Sequence, residues 1–395
     1  MTKIKAKSEI KLLLDLGLQP ISNRYLKNPV DEEKLFPLKL GQCQKTGLIQ
    51  LIDPVHPKEL NPKYDWLTYN EPEGHLDEMV KRILDYFPKD KSLKIGGVSI
   101  KDVSTLECFE KLGCGTWMVD LERDLLLESH LGFEAIHAAI NKSAVDRIIK
   151  RNGKSNLIIA RQIFEHVYNL KEFLESLKSL IYDDGYILFE IPDCTTSLEN
   201  FDYTMTWEEH LIYLTPNTFK HLLRHYGFTL ILYHLYPYPH ESSLVVLVRK
   251  NISNDNSNNP LELDKEICLG DNYANNFFKL KNLVCDFISK ERKKGKIVLF
   301  GAGQDTCAFL NYFDVSDQID YVIDDNINKT GLFMPKSKTP IVSSEVLENK
   351  NISLCLLSLN PINEEKVIAK LKKFKHLDGR IHSIFPHSKY SFLKE

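Results

Sequence analysis

The sequence predicts an α/β chain in several parts, with an open, mostly parallel sheet at its centre and a second, smaller sheet of the same kind at its C-terminus. Three observations carry this. From Lys91 onward, extended apolar runs alternate with helical patterns, as in β-α-β units joined by right-handed crossovers. The run SNLIIARQIF (155–164) begins as an unbroken apolar strand, as expected where both faces of a strand are covered. The segment NISNDNSNNP (251–260) is rich in Asn and Ser and reads as a linker. Beyond it a second strand, glycine turn and helix begin.

Size and charge narrow the function classes. The chain has 395 residues, more than one ordinary domain. With 51 Lys and Arg against 54 Asp and Glu, the formal net charge is −3, so no basic footprint for nucleic acid is expected. The basic run KERKKGK (290–296) reads as a solvated helix end. No stretch approaches the roughly 18 apolar residues of a membrane span. The start MTKIKAKSEI has no apolar signal core, and a cytoplasmic protein is expected. The 8 cysteines are dispersed without a CxxC pair, which argues against a disulfide framework and a cysteine zinc site.

The elements follow in order. PLKLGQ (37–42) and GLIQLIDP (47–54) read as strands around a turn at Gln44–Gly47. Glu73–Phe87 is an amphipathic helix with Leu76, Met79, Val80, Ile83 and Leu84 on one side. LKIGGVSI is a strand running into a glycine turn, TLECFEKLG a helix closed by Gly113, and TWMVDL a strand ending in acid. A helix is expected around Ala135–Ala139, another over Leu170–Ile181, then a turn at Asp183-Asp184-Gly185 and a buried strand, YILFEIP. LILYHLYPYPHESSLVVLVRK reads as a terminal hairpin. After the linker come a long helix, Leu263–Lys294, and the strand–turn–helix KIVLFGAGQDTCAFLNYF. The strand IDYVIDDN follows, then a short helix after Thr339–Ile341 and the strands ISLCLLSLN and GRIHSIFP. The expected parts are a module at 1–72, a central domain at 73–250, a linker at 251–262 and a C-terminal domain at 263–395.

Ligands of parallel sheets collect at the carboxyl ends of the strands, and polar clusters fall at several of those ends. Gly96-Gly97, with Lys101 and Asp102 beyond, lets backbone approach a cofactor or simply makes a tight turn. Asp120 suits a ribose diol or is a solvated strand end. Gln162 and His166 bracket the exit from the apolar strand, where a histidine can also cap or pack. Trp207, Glu209, His210 and Tyr213 bring a carboxylate, an imidazole and a phenol together, or form a solvated loop. Histidine is the group that takes a proton near neutral pH, and an adjacent acid can orient it. Gly301 and Gly303 open a helix whose amides can receive a phosphate, and Asp324 closes the next strand.

Taken in sequence, these segments resemble the sugar C-methyltransferase family. The similar residues are Leu16-Gly17-Leu18-Gln19-Pro20, Phe36-Pro37-Leu38 and Gly47–Leu51 at the N-terminus. In the centre they are Ile95-Gly96, Glu165-His166-Val167, Phe189–Asp193, Glu209-His210-Leu211-Ile212-Tyr213 and Gly227-Phe228. At the C-terminus they are Gly301-Ala302-Gly303, Phe309-Leu310-Asn311, Ile319–Asp324, Lys329-Thr330-Gly331 and Met334-Pro335. The resemblance spans nearly the whole chain. It implies a central methyltransferase-type Rossmann domain that binds S-adenosylmethionine, with Gly96, Gly97, Asp120 and Gln162 as cofactor candidates, while Lys101 and Asp102, where the chain departs from the family, read as a new polar pair in the same pocket. It implies an N-terminal substrate module and a C-terminal Rossmann-like domain that grips a nucleotide-linked sugar. His210 would then be the base that removes a proton beside a ketone, Glu209 would hold or polarise it, and His166 and Tyr213 would face the same pocket. Tyr64, Tyr69, His75, Trp207, Gly301, Gly303 and Asp324 would meet the substrate.

The chain departs from the family at marked points. The family's N-terminal module binds zinc through two cysteine pairs; here only Cys43 remains, with Thr46 where its partner should stand, so no zinc is expected. The stretch Val98–Ser104 offers no second glycine, and Trp207 and Gln162 replace a tyrosine and an asparagine. Gln304-Asp305 lacks a lysine common in the second glycine loop. Two other readings therefore stand beside methyl transfer. One is acid–base chemistry on a nucleotide sugar without a methyl donor, and the other a non-catalytic binding protein of the same fold. The expected partner is a small-molecule substrate, with no nucleic acid or membrane, and the chain is expected to be a monomer or homodimer.

Overall fold

The computed structural model describes residues 9–61, 63–64, 66–67, 71–89, 92–127, 140–251 and 262–394. The helix expected around Ala135–Ala139, most of the linker and the candidate Tyr69 lie outside the described residues.

The N-terminal part is a small antiparallel sheet of β1 (Ile10–Gln19), β2 (Phe36–Cys43) and β3 (Ile49–Leu51). The two expected strands are present, and β1 precedes them. The pairing of β1 with β2 shifts register twice, between Leu12 and Leu14 and between Asp15 and Leu18. Gly17 sits in the second shift at φ +74°. Such bulges break the period-2 pattern that marks a strand in sequence.

The central part begins with α1 (Leu76–Leu84), β4 (Lys94–Gly97), α2 (Val103–Lys111), β5 (Gly115–Met118), α3 (Lys142–Asn152) and β6 (Ser155–Arg161). It continues with α4 (Leu170–Leu180), β7 (Ile181–Asp193), α5 (Thr195–Glu199), β8 (Ile212–Tyr213), α6 (Pro216–His225), β9 (Phe228–Tyr236) and β10 (Ser242–Lys250). The strand order is β5-β4-β6-β7-β10-β9. The first four strands run parallel, and the β9–β10 hairpin is antiparallel at the edge. Every residue of β6 is buried, as its apolar run requires. The crossover direction reverses between β4 and β6, which places a ligand crevice at their carboxyl ends. The short β8 leaves this domain and pairs with β3, completing the N-terminal sheet.

The Asp183-Asp184-Gly185 turn is not formed as expected. The strand β7 runs through these residues, and its pairing with β6 jumps from Ile181 opposite Ser155 to Tyr186 opposite Leu157. The acidic residues bulge outward into solvent, so the polar run reads as a turn although the strand continues.

Gly96 and Gly97 also differ from expectation. They are the last two residues of β4, and the turn follows them. A Cβ on Gly96 would lie 2.3 Å from Trp117 Cζ2 and 2.7 Å from Ile158 Cδ1. A Cβ on Gly97 would lie 2.9 Å from atoms of Asp102, Leu106 and Met118. Packing inside the domain therefore accounts for both glycines. Gly96→Ala is expected to cost about 1–3 kcal/mol through overpacking. Urea unfolding followed by tryptophan fluorescence checks this, and an unchanged midpoint would show that the indole yields freely.

A buried polar network ties the same strand ends together. The guanidinium of Arg161, fully buried, donates from Nε to Glu190 at 2.5 Å and from a terminal nitrogen to the Lys101 carbonyl at 2.6 Å. Ser243 donates to Glu190 at 2.6 Å, and His75 Nε2 lies 3.1 Å from it. Burial pushes the Glu190 carboxyl up, but Arg161 and His75 outweigh it and hold it down at about 2.

The C-terminal part follows with α7 (Leu263–Arg292), β11 (Lys296–Phe300), α8 (Gln304–Tyr312), β12 (Tyr321–Ile323), β13 (Ile341–Val342), β14 (Ile352–Leu357), α9 (Glu364–Leu371) and β15 (Ile381–Ser383). Its parallel sheet has the order β13-β12-β11-β14-β15. The long α7 reaches back to the N-terminal sheet, where Gln42 donates to the Glu266 carbonyl at 2.6 Å over Gly270. Among the described residues, no helix is long and apolar enough to cross a membrane.

Candidate active site

The sequence places two sets of candidates at separate strand ends, and the structure treats them differently. At the crevice between β4 and β6, the polar groups are largely engaged with one another. Asp102 is fully buried and accepts from the amides of Val98 at 2.8 Å, Ser99 at 2.7 Å and Arg161 at 2.9 Å. Burial pushes its carboxyl up to about 6 despite those bonds. Lys101 Nζ stands 3.5 Å from Glu71. Gln162 holds a left-handed φ of +48° and is buried. Asp120, beyond β5, accepts from the Arg123 amide at 2.8 Å and keeps its side chain 34% exposed.

The second set converges. A cavity of about 440 Å³ opens between the three parts of the chain, and Trp207, His210, Gly301, Gly303 and Asp324 all line it. A more open groove of about 550 Å³ lies beside α5 and α7 and has no histidine in its lining.

His210 reaches the cavity from the loop before β8. Its ring lies 4.8 Å from that of His166, edge to face, and 5.0 Å from Trp207. Burial, with His166 adding to it, holds the His210 imidazole well below the ordinary histidine value. Burial likewise lowers His166 to about 4. His166 Nδ1 lies 2.8 Å from the Glu209 carbonyl, which can only accept. That bond fixes the neutral tautomer with its proton on Nδ1 and its lone pair on Nε2. Glu209 itself accepts from Asn23 at 3.2 Å, and Glu208 accepts from the Ser22 amide at 2.6 Å and hydroxyl at 2.9 Å. The N-terminal module thus anchors the carboxylates of the loop. Tyr213 does not line the cavity. Its hydroxyl accepts from the Trp207 amide at 3.1 Å, so it shapes the loop.

The other wall is the glycine loop after β11. Gly301 has φ +111°, and a Cβ there would meet the Ser358 carbonyl at 2.3 Å, so no side chain fits. Gly303 caps α8, and space lies open where its side chain would be. Asp324 is bound to the Ala302 amide at 3.1 Å and to Lys329 at 3.0 Å. Lys329 also donates to the Ala302 carbonyl at 2.8 Å, and its charge on the wall is paired with that of Asp324.

Tyr64 is one step removed. It donates to the Tyr25 carbonyl at 2.9 Å, and it is Tyr25 that faces the cavity, its own hydroxyl on the Ala302 carbonyl at 2.7 Å. His75 belongs to the Arg161–Glu190 network, with Nδ1 2.8 Å from the Tyr238 hydroxyl. Sequence reasoning gave no site role to Tyr25, Lys329, Glu241, Asp305 or His240, all of which line the cavity. Burial pushes Glu241 and Asp305 up to about 8, with neighbouring carboxylates adding to it.

Comparison with known proteins gives a consistent order of segments. Residues 6–60 match the family described as "Putative zinc binding domain". Residues 73–233 match the family described as "Methyltransferase domain". Residues 263–386 match that described as "C-methyltransferase C-terminal domain". The donors in the first segment do not fit tetrahedral zinc, since Cys43 and His56 are its only cysteine and histidine. The chain is 24% identical over 226 residues to the C-methyltransferase NovU of Streptomyces niveus, covering 55% of this chain and 53% of that protein. It therefore spans about half the length of the curated relative it matches.

Among solved structures, a 1,6-didemethyltoxoflavin-N1-methyltransferase of Burkholderia thailandensis is 12% identical, with TM-score 0.30, over 45% of this chain and 77% of that one. An S-adenosylmethionine-dependent methyltransferase of Clostridium acetobutylicum is 10% identical, with TM-score 0.31, over 46% and 93%. Scores of this size leave the fold class resting on the strand order. The chain therefore carries, in series, segments similar to a zinc binding domain, a methyltransferase domain and the C-terminal domain of C-methyltransferases.

Proposed function

We propose that this chain transfers a methyl group from S-adenosylmethionine to a carbon beside a carbonyl in a nucleotide-linked sugar, with His210 as the base. The observation that carries this is the convergence of His210 and Trp207 with the Gly301–Gly303 loop and Lys329 on one cavity. An imidazole held neutral can accept a carbon-bound proton. A glycine loop at a helix start with a lysine beside it suits a phosphate. Similarity to the two methyltransferase families and to a C-methyltransferase supports the same reading.

Of the residues expected to hold the donor, Asp120 fits best, because its carboxylate is part exposed at a strand end where a ribose diol can donate to it. S-adenosylmethionine, when bound, supplies an electrophilic methyl group. The chain's own residues do the rest. His210 takes the proton as the C–H bond breaks, and the electron pair is left as an enolate. The bonds from Asn23 and Ser22 to the carboxylates keep the loop in place. Incubation with radiolabelled methyl donor and a nucleoside-diphosphate keto-sugar tests the reaction, and folded protein that incorporates no label sinks it. Asp120→Ala is expected to weaken donor binding about tenfold, the loss of a hydrogen bond to a charged group, as read by calorimetric titration.

A second reading is favoured by one observation. The Val98 and Ser99 amides are already bonded to Asp102, so the loop cannot offer them to a cofactor. Proton transfer without a donor would then be the whole reaction. Exchange of substrate hydrogen into D₂O with no donor present, and no methylation when it is added, would favour this reading over methyl transfer.

A further inference from the structure

We infer that Asp202, His240 and His387 form a binding site for one divalent transition-metal ion, beside the cavity that His240 lines. Two of the residues come from the central part of the chain and one from the C-terminal part. Asp202 follows α5, His240 lies in the turn of the β9–β10 hairpin, and His387 follows β15. One ligand atom from each lies within 4.8 Å of the others. His240 Nδ1 and His387 Nε2 are 3.4 Å apart. A tetrahedral ion with bonds of about 2.1 Å holds its ligand atoms about 3.4 Å apart, so these two nitrogens already stand at ligand spacing.

Asp202 is 1% exposed. Its Oδ1 accepts from the Thr204 amide at 3.0 Å and hydroxyl at 2.7 Å. Its Oδ2 makes no hydrogen bond and lies 3.7 Å from His387 Nδ1, which makes none either. Buried polar atoms are rarely left so. A half turn of the His387 ring exchanges Nδ1 with Cδ2 and Nε2 with Cε1, so His387 offers the ion one nitrogen only, and the other stays toward its protein neighbour. The rings are held by packing, with Phe385 4.7 Å from His240 and 5.7 Å from His387. Two imidazoles and a carboxylate suit zinc or its first-row neighbours better than magnesium or calcium. Three protein ligands leave a coordination position free. Of the three, His240 lines the cavity, together with Glu241 and Asp305.

Among the described residues, one other group has the composition of a metal site, Glu165 with His166 and His210. The test must separate the two, and it does not depend on the methyl-transfer reading because it needs no substrate. Chelator-treated full-length protein is titrated with Co²⁺, read by visible absorption, and with Zn²⁺, read by calorimetry. One ion per chain is expected. Its affinity should fall more than about 100-fold in His240→Ala and in His387→Ala, beyond the loss typical of an outer-shell change, and should persist in His210→Ala. Circular dichroism confirms folding, and should His387→Ala fail to fold, His240→Ala decides. No saturable binding in the unaltered chain, equal binding in His240→Ala, or loss confined to His210→Ala would each overturn the inference.

Discussion

Arg161→Met is expected to destabilise the protein by about 3–5 kcal/mol, because it leaves the Glu190 carboxylate buried without its counter-ion. Both side chains are wholly shielded from water. The methionine also gives up the bond to the Lys101 carbonyl. Urea unfolding at pH 7 measures the loss, and a change below about 1 kcal/mol would show that the pair contributes little. Pairing it with Glu190→Leu should recover much of the loss, since an apolar replacement of both partners removes the stranded charge. The pH dependence carries the same information. Glu190 is depressed in the folded state, to about 2 from an ordinary 4.5. Its contribution is therefore present above about 4.5 and is lost as pH falls from there toward 2. In Arg161→Met that acid-labile part should shrink, because protonation now relieves the buried carboxylate.

His210→Ala is expected to reduce turnover about 10²–10⁴-fold, the usual contribution of a general base, with little effect on folding. The comparison is between labelled methyl incorporation and melting temperature in the two proteins. A tenfold loss or less would assign the proton to another group. The pH profile provides an independent reading. A base must be deprotonated to act, and burial holds His210 well below its ordinary value of 6.5. The acid limb of the rate should therefore lie well below 6.5. A limb centred near 6.5 would mean that the imidazole is solvated in the working enzyme.

Sequence legibility followed the range of the interactions. The strand β6 was readable because a run shielded on both faces must be apolar throughout, and the β9–β10 hairpin because its two apolar halves flank Pro-Tyr-Pro. The histidine and tryptophan of the 207–213 segment were readable as a local cluster of chemically capable groups. The assembly around them was not. Nothing near Tyr25 signals that it faces the second glycine loop, which it meets only through tertiary packing. Gly96 and Gly97 suggested a cofactor turn, whereas the neighbouring Trp117 and the Asp102 and Leu106 side chains require them for space. The bulge in β7 was misread because its polar residues mimic a turn. Asp202, His240 and His387 each look like ordinary loop residues until the fold brings them together.

The pairing of β8 with β3 has a consequence for any attempt to exchange parts between relatives. The loop bearing His210 ends in a strand that belongs to the N-terminal sheet, and its carboxylates are bound by Ser22 and Asn23. A chimaera joined after residue 72 would set a foreign sheet edge against the native loop and so disturb His210 together with the cavity wall. The smallest transplantable piece is the N-terminal sheet with residues 207–213, and grafts that respect this seam should keep activity where cuts made by domain boundary alone lose it.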